Sequence, residues 1–508
     1  MIGPENKLVP KFAKAYAAYL SGWLGKSIYD AWFMFFAQII LDAKSDILNI
    51  VSIRDEFNTR YNIKIPIDFV RQTLLLHKDV LGFDKNKVSI IDHARLVQSI
   101  APDQKYVESW NKLRTAFERF CISEGIMAGP DLESVILDCV ESYDVEVVAP
   151  HEDSDIKKKC ELSYKWNVFI SRLERQSPDI FDFVCSLSYG SIAKEAMFCT
   201  EGVNIVFRGL KVYLDAPIVF QLLGIADVEE KERAAQLVSG LSTAGCTLWI
   251  FKHTLEEVNS IAVSSRRWAL DVNDYDPVKA SKTARFFRSH QYSEQEINEF
   301  ICDIEGDIRE QFGVNVDNMT YEANSHGYQV DVTQLHSMFD ERYKYADEEE
   351  REDKERGIEN DIHSIALLYR LRGGARPKNF HQCRTLMVTS SSTMANVCRS
   401  FAYESTNSHD LPVCVSSKIL ASFLWLGNPK KLMGYKRLEL LADCSRYLRP
   451  TNRMLAKFFE KVKRIDVKDE QTQKKYFMLT TAPALDQVLM ETINGKDVRF
   501  YDRLTLSS

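Results

Sequence analysis

The fold prediction starts from residues 212–219, which read Val-Tyr-Leu-Asp-Ala-Pro-Ile-Val. An apolar run leads into one carboxylate, Asp215, and a small residue and a proline then interrupt the pattern. Strands buried in parallel sheets are continuous apolar runs, and open α/β sheets bind ligands beyond the carboxyl ends of their strands. The stretch therefore predicts a buried parallel strand with an acid at its functional end.

Outward from this strand, predicted strands and helices alternate over residues 203–425. The predicted strands are 205–207, 212–214, 247–251, 386–389 and 413–415, and the predicted helices are 228–241, 255–262, 358–371 and 394–401. Such alternation predicts βαβ units, so we expect an α/β domain with a parallel sheet flanked by helices. The charged stretch 263–356 has helical periodicity and predicts a helical insertion.

The rest of the chain predicts a mainly α-helical N-terminal half and a small C-terminal region. Residues 1–100 follow the order helix, turn, helix, hairpin, which fits a winged helix and also fits other small helical domains. Residues 101–202 predict a second helical domain, in which the polar stretch 150–159 predicts a linker or exposed loop. Residues 426–508 predict an α+β region.

Composition excludes several classes of protein. The chain has 508 residues and a formal net charge of −7, which argues against a general nucleic-acid coat but allows a local basic groove. Eleven cysteines without a Cys-x-x-Cys pair favour free thiols over structural zinc. The sequence has no phosphate-binding P-loop, no dinucleotide-binding glycine loop and no serine-nucleophile elbow.

Localisation is predicted from two further absences in the sequence. The N-terminus has no signal-peptide pattern, and the longest apolar stretch, 31–41, is too short to span a bilayer. The sequence therefore predicts a cytoplasmic protein that does not bind membranes.

Three acids occupy comparable places in the α/β region. Asp215 ends the first strand, Glu257 lies in the helix after the second, and Asp361 opens the next apolar helix. Acids at the carboxyl edge of a parallel sheet offer the oxygen ligands that Mg²⁺ and Mn²⁺ prefer. Each acid has an alternative role: Asp215 or Asp361 as a helix N-cap, and Glu257 as an exposed helix acid, with Glu256 competing for its place.

The order of these motifs resembles that of a PIN or PIN-like nuclease domain. The resemblance covers about residues 203–425 and rests on four short segments, Tyr213-Leu214-Asp215, Thr254-x-x-Glu257, Asn360-Asp361 and Met387-Val388-Thr389-Ser390. It implies that Asp215, Glu257 and Asp361 are catalytic and bind Mg²⁺ or Mn²⁺, and that Asn360 orients a ligand or water. It also implies hydrolysis of phosphodiester bonds, with RNA favoured over DNA, in a regulated setting of the toxin-like or phage-defence kind.

One position departs from the pattern of the family. Many PIN domains carry a fourth acid after the Val-Thr strand, where this chain has Ser390-Ser391-Ser392. The hydroxyl of Ser391 can hold a metal-bound water but brings no charge, so either metal affinity falls or an acid of the insertion substitutes. The candidates for that substitution are Asp303, Glu305 and Asp307. The departure also keeps open an inactive PIN-like scaffold that binds nucleic acid or a protein partner.

Further candidates lie close to these acids. His253 and His363 flank two of them, where a histidine can assist proton transfer or can simply be a polar residue at a helix end. Basic residues beside aromatic ones suit single-stranded nucleic acid, and the alternative is surface charge over buried rings. Two stretches have this composition, Arg266-Arg267-Trp268 and Arg285-Phe286-Phe287-Arg288. A protein partner and a homo-oligomer also stay open.

Overall fold

The computed structural model describes most of the chain between residues 28 and 448. The described residues are 28–43, 47–61, 65–100, 104–125, 132–142, 154–188, 207–225, 228–271, 280–322, 328–343, 348–378, 380–404, 410–425 and 429–448. Residues 1–27 of the predicted helical N-terminal half and residues 449–508 of the predicted α+β region lie outside these residues. The predicted domain boundaries stay predictions.

The N-terminal part matches the predicted order of helices and hairpin. Its elements are α1 (Ile28–Asp42), β1 (Ile47–Asn49), α2 (Ile50–Tyr61), α3 (Ile67–Leu75), β2 (Leu81–Asp84), β3 (Lys87–Ile90) and α4 (His93–Ser99). The strands form an antiparallel sheet in the order β1-β3-β2, in which Val88 faces Leu48 on one side and Phe83 on the other. Buried rings hold the helices together, with Trp32 and Phe57 in edge contact at 5.8 Å.

Four helices follow: α5 (Gln104–Ser123), α6 (Leu132–Ser142), α7 (Ser154–Gln176) and α8 (Pro178–Leu187). Phe117 of α5 and Trp166 of α7 are buried and meet edge-on, with 5.1 Å between their ring centroids. The expected linker at 150–159 is wrong from Ser154 onward, because α7 begins there. A lysine-rich, polar sequence can form a helix, because Lys and Glu are good helix formers.

The α/β region begins at residue 211. Its elements are β4 (Lys211–Leu214), α9 (Ala216–Leu222), α10 (Val228–Thr243), β5 (Thr247–Phe251), α11 (Lys252–Leu270), α12 (Lys282–Ser289), α13 (Glu294–Phe312), β6 (Val314–Asp317), α14 (Val332–Tyr343), α15 (Glu348–Arg372), β7 (Thr385–Thr389), α16 (Ser392–Glu404), β8 (Cys414–Ser416), α17 (Ser417–Trp425) and α18 (Pro429–Leu448). The five strands form a parallel sheet in the order β6-β5-β4-β7-β8. This confirms the α/β class, and the strand order reverses its direction at β4.

The predicted insertion is not wholly helical. Gly313, with φ +67°, ends α13, and β6 follows at once. Val314 of β6 pairs with Leu248 of β5, and Asp317 pairs with Phe251. The insertion therefore supplies an edge strand of the sheet. β6 is not predictable from the sequence, because four residues are too few to show a clear alternation of apolar and polar side chains.

The described residues divide into two compact units. The first takes its residues from 1–212, 240–247 and 324–441, and the second from 213–239, 248–323 and 442–508. Asp215 and Glu257 belong to the second unit, and Asp361 belongs to the first. Within the described part of the chain, we find no helix with both the length and the apolar character needed to cross a membrane.

Candidate functional site

Asp215 lies directly after β4 and is almost fully buried. Its Oδ1 accepts a hydrogen bond of 2.8 Å from the amide of Ala216, and its backbone carbonyl accepts one from the amide of Ile218 at 3.0 Å. Asp215 is thus the N-cap of α9, which was its alternative role. A carboxylate has about four acceptor positions, so capping through Oδ1 is compatible with a metal ligand role.

The structure distinguishes Glu257 from Glu256. Glu256 is exposed and pairs with Lys252 one turn earlier, Oε1 to Nζ at 3.6 Å, whereas Glu257 is half-buried. Glu257 lies in the second turn of α11, and α11 packs against α9, the helix that Asp215 caps. Because β4 and β5 are neighbours in the sheet, Asp215 and Glu257 follow the same edge of it. Of the two glutamates, Glu257 is the better ligand candidate.

A further acid at this edge, Asp317 at the end of β6, was missed by the sequence analysis. The Tyr213 hydroxyl donates to Oδ2 of Asp317 at 2.7 Å, and the amide of Met319 donates to Oδ1 at 3.0 Å. The Tyr213 ring stacks on Phe251 with 4.3 Å between centroids. Burial raises the pKa of Tyr213, and the hydrogen bond to Asp317 raises it further. The signal in the sequence was an acid directly after Val-Asn-Val.

The positions of Asp361 and Asn360 need a correction. Asp361 does not open a helix, because α15 begins at Glu348 and Asp361 lies well inside it. It therefore cannot be an N-cap, and like Asn360 it is half-buried. Burial lowers the pKa of the neighbouring His363, while the charge of Glu359 opposes this shift.

Ser391 has a local structural role. Its Oγ accepts from the amide of Met394 at 3.3 Å, and its own amide donates to Oγ1 of Thr389 at 2.8 Å. These bonds cap the N-terminus of α16. The position of the expected fourth acid is thus filled by a neutral helix cap.

The acids proposed as substitutes for Ser391 do not follow a strand. Asp303, Glu305 and Asp307 all lie on α13, where Glu305 pairs with Arg309 at 2.6 Å and Asp307 accepts from Gln311 at 3.0 Å. The acid of the insertion that does end a strand is Asp317. The substitution of Ser391 by one of these three residues stays a prediction.

Two of the candidate nucleic-acid contacts are bonded to the protein's own backbone. Arg288 is buried and donates to the carbonyls of Ala269 and Asp271 at 3.3 and 2.9 Å, and Nε of Arg285 donates to the Ala280 carbonyl at 3.0 Å. The prediction that Arg288 contacts nucleic acid is therefore wrong, because a buried guanidinium cannot reach a phosphate.

The other basic stretch and His253 have different surroundings. Arg266 donates to Oδ1 of Asn298 at 2.5 Å, whereas Arg267 and Trp268 are exposed. His253 is half-buried, and its ring stacks on Phe251 with 5.3 Å between centroids. Arg267 therefore remains a candidate contact residue.

The donor set suits a cation held by few protein ligands. Among the described residues, no group of three or more His, Cys, Asp and Glu side chains is placed to hold a metal ion. Mg²⁺ keeps several waters and is usually bound through one or two carboxylates together with substrate phosphates. Asp215 and Glu257, both of the second unit, provide that donor chemistry.

Comparison with known proteins gave no match: no protein-family model, no curated protein and no solved structure is similar to this chain. The assignment of a function therefore depends on the residues and their arrangement.

Proposed function

We propose that this chain is a metal-dependent nuclease of PIN-like fold that hydrolyses phosphodiester bonds, with RNA as the favoured substrate. The observation that carries the proposal is the buried carboxylate of Asp215 directly after β4, the strand at which the sheet order reverses. Ligands of open α/β sheets bind beyond the carboxyl ends of the strands at such a reversal. The PIN-like identity, the preference for RNA and the toxin-like or phage-defence setting come from the sequence resemblance.

In this proposal, Asp215 and Glu257 hold Mg²⁺ or Mn²⁺, and Asp361 and Asn360 are assigned to the site by the resemblance alone. When bound, the metal neutralises charge on the phosphodiester and lowers the pKa of a water. The hydrogen bond from the Ala216 amide fixes the orientation of the Asp215 carboxylate. Glu257 projects from a helix of 19 residues, so its position is set by rigid backbone.

Cleavage of single-stranded RNA and DNA with Mn²⁺ tests the proposal. We expect Asp215→Asn, Glu257→Gln and Asp361→Asn each to lower the rate by roughly 100-fold or more, the scale for losing one group that stabilises the transition state. Asn is also a good N-cap, so Asp215→Asn keeps α9 capped and isolates the loss of charge. Titration of bound Mn²⁺ gives a readout that does not depend on turnover.

Glu256→Gln is the matched control, because it removes an exposed carboxylate one residue from Glu257. Its rate and Mn²⁺ affinity should equal those of the wild type. Equal activity of Asp215→Asn and the wild type would reject the proposed site.

The second candidate function is an inactive scaffold, and the helix cap formed by Ser391 favours it. A serine in this place leaves the site one charge poorer than in many PIN domains. A wild-type chain that cuts neither RNA nor DNA with Mn²⁺, yet binds RNA, would establish the scaffold and reject the nuclease.

A further inference from the structure

One face of α11 carries an exposed tryptophan and an exposed arginine. Trp268 is 37% exposed, and no ring contact joins it to another described residue. Arg267 is exposed, and within the described part of the chain it forms no ion pair. We refer to Glu257, Ile261, Ser264, Arg267 and Trp268 together as the α11 face.

Helix geometry places this face in line with Glu257. The α-helix turns about 100° per residue, so Ile261, Ser264 and Trp268 lie within about 40° of Glu257 around the helix axis. Burial agrees with this register. The buried residues of α11 begin beside the stripe and span about 60–160° from Glu257 in one direction, whereas the exposed Arg267 lies about 80° from it in the other direction. These buried residues are Thr254, Leu255, Val258, Ala262, Ser265 and Ala269. The α11 face is therefore a continuous stripe from Glu257 to Trp268.

The neighbouring acidic helix does not share this face. Arg266 bonds to Asn298 of α13, and Arg266 lies roughly opposite Glu257 around α11. This contact between α13 and α11 therefore lies on the side of α11 away from Glu257. Near its C-terminal end, the α11 face presents a cation without a described partner and an aromatic ring.

We propose that the α11 face binds single-stranded RNA, with a base stacked on Trp268 and a phosphate paired with Arg267. Single strands are bound where aromatic rings accept bases and basic side chains follow the backbone. The distance along the helix from Glu257 to Trp268 is about 16 Å at 1.5 Å per residue. A strand lying along the stripe would therefore reach Glu257 within about five nucleotides, taking the ~3.4 Å per nucleotide of a duplex strand as the shortest spacing. That the bound strand runs toward a metal site at Glu257 rests on the proposed function, whereas the binding of RNA to the α11 face does not.

The test is fluorescence anisotropy of a labelled oligouridine RNA with the full chain in EDTA, so that binding is measured without cleavage. We expect Trp268→Ala to weaken binding roughly 5- to 100-fold, the scale for loss of one stacked base. Trp268→Phe keeps a ring and should restore most of the affinity. Arg267→Gln should reduce the slope of log affinity against log salt by about 0.7, the value for one phosphate of a single strand.

Val263→Ala is the matched control, because Val263 is an exposed apolar residue of α11 that lies about 140° from Trp268 around the helix. It should leave RNA affinity unchanged. Duplex RNA, whose bases are already stacked, should bind the wild type and Trp268→Ala equally.

Unchanged affinity in Trp268→Ala and Arg267→Gln would overturn the inference. A changed oligomeric state in Trp268→Ala with RNA affinity intact would also overturn it, and would identify the α11 face as a protein interface. Affinity that depends on Trp268 in a chain that cuts no RNA would keep this inference and reject the nuclease proposal. A Trp268→Ala variant that cleaves RNA and binds it with wild-type affinity would reject this inference and keep the nuclease proposal.

Discussion

Two stretches of the second unit have the same kind of composition and opposite surroundings. In Arg266-Arg267-Trp268 the ring is 37% exposed, whereas in Arg285-Phe286-Phe287-Arg288 the ring of Phe287 is fully buried. Arg267 is exposed, whereas Arg288 is buried against the C-terminus of α11. The stretches differ because Phe287 and Arg288 contact the C-terminal end of α11, whereas Arg267 and Trp268 lie on the exposed side of α11.

The comparison shows what a buried arginine can do that an exposed one cannot. The last carbonyls of a helix have no partner within the helix, and the C-terminal end carries partial negative charge. Arg288 donates to the carbonyls of Ala269 and Asp271 at that end of α11. A basic residue beside aromatic ones is therefore a nucleic-acid signal only when the side chain reaches the surface.

The largest expected difference is between the two rings. Phe287 packs with Ala269 and Ile297, so Phe287→Ala should lower the free energy of unfolding by about 3–5 kcal/mol. Trp268→Ala should lower it by only about 1–2 kcal/mol, because Trp268 is 37% exposed and loses less buried apolar area. Urea denaturation of both variants measures this. Equal losses would show that Trp268 belongs to the core and would abolish the distinction.

The second-largest expected difference in stability is between the variants of Arg288 and Arg267. Arg288→Ala leaves two carbonyls without their charged donor and should lower the free energy of unfolding by about 2–3 kcal/mol. Arg267→Ala should stay within about 0.5 kcal/mol of the wild type. Thermal unfolding at low and high salt provides the measurement, and the loss in Arg288→Ala should persist at high salt because buried interactions are screened little. A loss that vanishes with salt would place Arg288 at the surface.

Arg266 is intermediate in burial between Arg267 and Arg288. Its replacement should cost less stability than Phe287→Ala or Arg288→Ala. It is half-buried and bonds to Asn298, so Arg266→Ala should lower the free energy of unfolding by about 1 kcal/mol. A double-mutant cycle with Asn298→Ala should give a coupling energy of about 0.5–1 kcal/mol. Strict additivity would mean that this hydrogen bond contributes nothing, and Arg266 would then group with Arg267.

The sequence predicts the sheet where its strands are long apolar runs. β4, β5 and β7 are such runs, and their alternation with helices was enough to predict the α/β class. β6 was not predicted, although the sequence carries signals for both ends of the helix before it. α13 starts with a capping box at Ser293 and stops at Gly313. The start of α15 was misplaced because a charged run precedes Ile358, and Gly357 between them is tolerated inside a helix at a cost of about 1 kcal/mol.

The candidate site was predictable in part. The position of Asp215 follows from the apolar run that it ends, and helical periodicity separates Glu257 from the exposed Glu256. The bond between Tyr213 and Asp317 was not predictable, because the two residues are 104 positions apart and the strand that carries Asp317 was itself missed. Local patterns indicate which residues share a helix or strand, but not which distant side chains meet.

The edge strand β6 limits how this chain could be shortened. The helices between β5 and β6 look removable in sequence, as a charged insertion between two halves of a sheet. Cutting out residues 263–317 would also delete β6 and leave the backbone of β5 unpaired along one side, which invites pairing with other molecules. Tyr213 would lose its acceptor, so a phenolic hydroxyl would need another bonding partner. A trimmed protein that stays folded should therefore keep β6 and Asp317, together with α11, which carries Glu257 and connects the parallel strands β5 and β6.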